Sequence, residues 1–156
     1  MDNAKEIERI EDQLRRAFEG EAWHGLSVYE LLAEVTAEMA AAKPIANAHR
    51  IWEIGLHIPA WENAVRRRLE GEAVDLSAEA DWPKVHEMSD AAWKKTLEAL
   101  EKSNTQLRET ISRFTDSHLE NKVAGQNHTV YFTLHGMIQH DLDYAGQIAV
   151  LKKVWT

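Results

Sequence analysis

The chain has 156 residues, 44% hydrophobic and 28% charged, the size and balance of one globular domain, expected to span 1–156. It has no cysteine, which excludes thiolate zinc sites, iron–sulfur clusters, disulfides and thiol nucleophiles, so any thiol chemistry must borrow its thiol. Its 26 acidic side chains outnumber 18 basic ones for a net charge of −8, a field that repels nucleic acid and anionic membranes.

Met1-Asp2-Asn3-Ala4-Lys5-Glu6 is charged from the start and lacks the apolar core of a signal peptide. No apolar run nears the ~18 residues of a membrane span. The expectation is a cytoplasmic protein with neither nucleic-acid nor membrane partners.

Gly and Pro are scarce, at seven and three, and the abundance of Ala, Glu, Leu, Lys and Arg favours helix throughout. The first predicted helix, 3–19, carries Ile7, Ile10, Leu14, Ala17 and Phe18 at steps of three and four, and Gly20 closes it. Ser27 caps a short helix with Val28, Leu31, Leu32 and Val35, and Thr36 begins another that Pro44 ends. The second long helix, 47–70, takes Asn47 as its N-cap and carries Ile51, Ile54, Ile58, Trp61, Val65 and Leu69; Pro59 inside it predicts a kink from Gly55 to Pro59. Residues 72–88 read as a long crossover loop.

Ser89 caps the third long helix, 89–114, in which Trp93, Leu97, Leu100, Asn104, Leu107, Ile111 and Phe114 alternate at steps of four and three. That is the buried seam of a bundle helix, with Asn104 its one polar member. Gly125-Gln126-Asn127-His128 reads as a hairpin tip, and the fourth helix, 130–154, aligns Leu134, Met137, Tyr144, Ile148 and Leu151.

Two sets of polar residues interrupt these patterns. His49, Glu53 and His57 follow at steps of four, as do His140 and Tyr144, with Asp143 and Gln147 nearby. Facing helices with such donors are how bundles build sites for divalent metals. His57 and His140 also border apolar stripes, where an imidazole needs a partner, so a metal-free hydrogen-bonded pair is the competing reading. His24, His86, His118 and His128 fall among polar neighbours and read as solvated; His135 reads as helix-exterior or interfacial. The tryptophans read as packing residues. No G-x-S-x-G, phosphate-cradling glycine loop or H-E-x-x-H is present.

The stretch Ala48-His49-Arg50-Ile51-Trp52-Glu53-Ile54-Gly55-Leu56-His57-Ile58-Pro59-Ala60-Trp61-Glu62, then Arg67-Arg68-Leu69-Glu70-Gly71, and the late run from Leu134 to Ile148 containing His140-Asp141-Leu142-Asp143-Tyr144-Ala145-Gly146-Gln147-Ile148 resemble the DinB-like (YfiT-like) superfamily. The Trp23-His24-Gly25 and Asp81-Trp82-Pro83 loops fit as well. The resemblance implies an all-α four-helix bundle, up-down-down-up, with a divalent metal, zinc or nickel, held by three histidines. Position by position, the ligand of the second helix matches His57 and the first of the fourth-helix pair matches His140. The third falls on Tyr144, which leaves three outcomes open: ligation as phenolate, substitution by Asp143, Asp141 or Glu53, or a site without metal.

The resemblance further implies a homodimer and a thiol-dependent S-transferase or isomerase activity on a small-molecule substrate, using an external low-molecular-weight thiol. The alternative is a non-catalytic dimeric bundle, a stress-response or ligand-binding protein, in which His57, His140 and Tyr144 form a metal-free cluster.

Overall fold

In the computed structural model, which describes residues 5–156, the chain forms seven α-helices: α1 (Glu6–Phe18), α2 (Val28–Leu32), α3 (Ala37–Ala41), α4 (Ile51–Leu69), α5 (Ala78–Asp81), α6 (Asp90–Ile111) and α7 (Val130–Leu151). The expected start of the first helix at residue 3 lies outside the described residues. Among those residues the one β pairing is the bridge between Lys122 and Thr129. It closes the predicted hairpin, where Val123 N–H donates to the His128 carbonyl at 3.0 Å. Gly125 at the tip has φ +72°, and a Cβ there would lie 2.8 Å from that of Ala73, so both backbone and space require glycine.

Ser27, Thr36 and Ser89 each accept a backbone N–H and start α2, α3 and α6 as expected, and Thr129 does the same for α7. The second long helix starts later than predicted. Asn47 is not its cap, because Ala48 N–H donates to the Ile45 carbonyl in a turn and the Glu53 carboxylate reaches back to the Arg50 N–H at 2.6 Å. His49 therefore precedes α4. The helix runs without a break from Ile51 to Leu69, with Pro59 inside it. The 72–88 connection is not all loop, since α5 forms one turn within it, capped by Ser77.

The buried face of α6 is also rotated from its predicted seam. Leu97 and Phe114 are only half-buried, and Thr96, Ser103 and Thr110 take the interior positions beside Asn104. The reason lies on α4: Trp52 Nε1 donates to Thr96 Oγ1 at 3.0 Å, Ser103 and Asn104 pair with Glu62, and Thr110 Oγ1 donates to Glu70 Oε1 at 2.9 Å. These partners ascend together along both helices, so α4 and α6 run in the same direction, which is why a crossover must join them. Gly55 faces α6; a Cβ there would sit at ordinary contact distance, 3.4 Å from Thr96 Cγ2 and 3.5 Å from the Trp93 ring.

Two apolar clusters fill the interior. One joins Ile51, Ile54, Ile58, Trp93, Leu100 and Ile148; the other joins Ile10, Leu14, Val65, Leu107, Ile111 and Leu134. Between them in register on three helices stand Glu62, Ser103, Asn104 and Asp141, all wholly or nearly wholly buried. The polar layer lies about a turn and a half beyond His57 along α4 and beside His140 on α7.

Candidate metal centre

His57 is 3% exposed and is held from the crossover. Its Nδ1 lies 2.6 Å from the backbone carbonyl of Asp81, at the end of α5. A carbonyl only accepts, so Nδ1 carries the ring proton and Nε2 presents its lone pair. Asp81 is itself fixed, because Trp61 Nε1 donates to its Oδ1 at 2.7 Å. The next residue, Trp82, lays its indole parallel to His57, with centroids 3.7 Å apart, and parallel to His49 at 3.5 Å.

His57 Nε2 points at His140 Nε2, 3.1 Å away on α7. Burial holds both imidazoles neutral: His57 is lowered from the ordinary histidine value, and His140 is lowered to about 4. Tyr144 packs its ring edgewise against both, at 4.8 Å from His57 and 4.7 Å from His140. Its phenol is pushed up by burial and by the charges of Asp143 and Asp81.

The structure thus brings together His57, His140 and Tyr144, and sends the other expected donors elsewhere. Glu53 caps α4, and His49 stacks on Trp82 with its Nδ1 3.9 Å from Glu53, so their step-of-four spacing has a local explanation. Asp143 is exposed and accepts from Gln147 Nε2 at 3.0 Å. Asp141 is buried on the Nδ1 side of His140, 3.9 Å away. Among the described residues no three His, Cys, Asp or Glu side chains converge to hold an ion.

Of the remaining histidines, His24, His86 and His128 are exposed as expected. His118 is not simply solvated: it is half-buried, and its Nδ1 accepts the Thr115 N–H at 3.0 Å. His135 packs against Tyr131 at 4.4 Å with its Nε2 buried. A groove of about 510 Å³ opens beside Asp143, between Ile45 and Ala48 on one side and Leu142, Gly146 and Val150 on the other.

A family model described as the DinB superfamily matches residues 21–148. The chain belongs to the DinB superfamily. No curated protein and no solved structure matches it. The match takes in α2 to α7 up to Ile148, and with them every residue that surrounds His57 and His140 in this superfamily member.

The imidazole pair fits a divalent ion. Two nitrogens each about 2.0–2.1 Å from one zinc lie a little over 3 Å apart, and the pair stands at 3.1 Å. Donating the far ring N–H to a carbonyl, as His57 does, is the usual way a ligating histidine is oriented. Ligation needs neutral imidazole, which burial supplies. The phenol of Tyr144 does not fit as a third anionic donor, since its surroundings oppose phenolate.

Sequence reasoning missed the Asp81 carbonyl, the Trp82 stack and the Glu62 layer. Asp81-Trp82-Pro83 carries part of the family resemblance, but a backbone carbonyl leaves no signature of its role. Glu62 did leave one: it sits four residues after Ile58 and three before Val65, on the apolar stripe itself.

Proposed function

We propose that this DinB-superfamily chain binds zinc or nickel through His57 and His140 and catalyses a thiol-dependent transfer or isomerisation with an external low-molecular-weight thiol. The observation that carries the reading is the Asp81 carbonyl on His57 Nδ1, which turns the Nε2 lone pair toward His140. The proposed frame is an up-down-down-up bundle, cytoplasmic and homodimeric, in which parallel α4 and α6 are its two central members.

A bound ion would supply Lewis acidity that lowers the pKa of a coordinated thiol. The chain's own residues do the rest. Asp81 fixes the His57 tautomer, and Trp82 covers the outer face of its ring and keeps water from it. Tyr144, kept as a neutral phenol, offers a hydroxyl donor to a substrate. With only two protein nitrogens to hold it, an ion there would keep positions open for exogenous ligands. The absence of a cysteine agrees with a borrowed thiol.

A second reading, a non-catalytic bundle in which the same residues form a metal-free cluster, is favoured by Tyr144 standing at the family's third histidine position. Elemental analysis of untagged protein grown with matched zinc and nickel supply separates the two. The metal reading expects one ion per chain, lost in His57→Ala and His140→Ala. Wild-type protein without stoichiometric metal overturns it in favour of the second.

A further inference from the structure

Asp141 is wholly buried, and neither carboxyl oxygen has a hydrogen-bond partner among the described residues. A buried carboxyl group left this way costs stability unless something it does requires it. The donors on the neighbouring helix are committed elsewhere, since Ser103 and Asn104 pair with Glu62. His140 Nδ1 is likewise buried and without a partner, 3.9 Å from Asp141 Oδ1.

The protons explain why these adjacent groups stay apart. His57 keeps its proton on Nδ1 for the Asp81 carbonyl, so the contact between the two Nε2 atoms needs a proton from His140. Neutral His140 then has a bare Nδ1 with nothing to donate. When both Nε2 lone pairs serve an ion, that proton leaves Nε2 and one arrives at Nδ1. The imidazole stays neutral, and its Nδ1–H now requires an acceptor. A carboxyl group presents an acceptor oxygen whether ionised or not.

We propose that Asp141 is the positioning residue of His140: it accepts the Nδ1–H when Nε2 ligates an ion and is left unpaired when Nε2 donates to His57. This rests on the metal reading of the His57–His140 pair. It deepens that reading by assigning the ion an orienting carboxyl on α7 to match the orienting carbonyl that Asp81 provides for His57.

The test titrates zinc into wild-type, Asp141→Asn and Asp141→Leu protein, records melting of each ion-free form, and follows the His140 tautomer by nitrogen-15 NMR. Asp141→Leu should lose zinc affinity by about 10–100-fold, the range for removing an orienting partner, yet melt at or above wild type without zinc. Asp141→Asn keeps an acceptor oxygen and should recover most of the affinity. The His140 proton should sit on Nε2 without zinc and on Nδ1 with it. A purely structural role would lower melting and affinity together, and that result overturns the assignment. Equal zinc affinity in wild type and Asp141→Leu, or an unchanged tautomer on zinc binding, overturns it too. Wild-type protein that binds no zinc overturns the metal reading, and this one with it.

Discussion

Tyr144 meets His57 ring edge to ring face, with centroids 4.8 Å apart and planes at 67°, and stands in nearly the same relation to His140, at 62°. It packs edgewise against both imidazoles, which remain in contact with each other. Its phenol is pushed up by burial and by Asp143 and Asp81, so phenolate ligation would work against three effects at once. Tyr144→Phe should therefore leave zinc affinity unchanged in a competition titration. Tyr144→His should raise it, because a neutral imidazole ligates without first losing a phenolic proton. Loss of zinc binding in Tyr144→Phe would show that the oxygen ligates after all.

Gly55 faces Thr96 and Trp93 of α6, and its replacement measures how much room lies between them. An alanine methyl would meet Thr96 Cγ2 at 3.4 Å and the Trp93 ring at 3.5 Å, ordinary contact distances. It also removes the extra chain entropy of a mid-helix glycine, about 0.5–1 kcal/mol. Gly55→Ala should thus be as stable as wild type or more so. Gly55→Leu must displace Trp93 or break the Trp52–Thr96 hydrogen bond, and should cost roughly 1–3 kcal/mol. Urea denaturation midpoints decide; a leucine variant as stable as wild type would mean the helices are free to separate.

The helices were legible because their apolar spacing is strong, and the resemblance located His57, His140 and Tyr144. What escaped has a common cause. Hydrophobic spacing along α6 puts Leu97 inside and Thr96 outside; the structure prefers Thr96 because Trp52 supplies a partner for its hydroxyl. Asn47 is a good N-cap residue by type, but the Glu53 carboxylate accepting the Arg50 N–H sets the helix start three residues further on. The His57 tautomer depends on a main-chain oxygen 24 residues away in sequence, to which any residue type could contribute. Partners that meet only in the folded chain decide which polar residues go inside, and a one-dimensional pattern does not record them.

The most consequential of these partners is Glu62, buried at 0% exposure between Ser103 and Asn104. Burial and the charge of Asp141 push its carboxyl well above the ordinary range, against the smaller effect of those two hydrogen bonds. The hydrogen bonds agree with a neutral acid. Ser103 Oγ also lies 2.9 Å from the Leu100 carbonyl, and a hydroxyl has one proton, so a Glu62 O–H donating to Ser103 lets Ser103 donate onward while Asn104 donates to the other oxygen. A glutamine reproduces that pattern, its amide N–H replacing the acid proton. Glu62→Gln should then match wild type near pH 5 and be the more stable of the two at neutral pH, whereas Glu62→Ala leaves Ser103 and Asn104 without a partner, at about 1–3 kcal/mol in addition to the cavity. The sign of the pH effect follows from the raised value: the folded chain keeps a proton that the unfolded chain releases above pH ~4.5, so the stability contributed by Glu62 is full below that pH and falls as pH rises. Glu62→Gln should flatten this decline without abolishing it, because Asp141, pushed up to about 8 by burial, declines in the same direction. Urea denaturation of the three proteins from pH 5 to 9 measures both effects, and a glutamine variant as destabilised as the alanine one would show that Glu62 is held as a carboxylate.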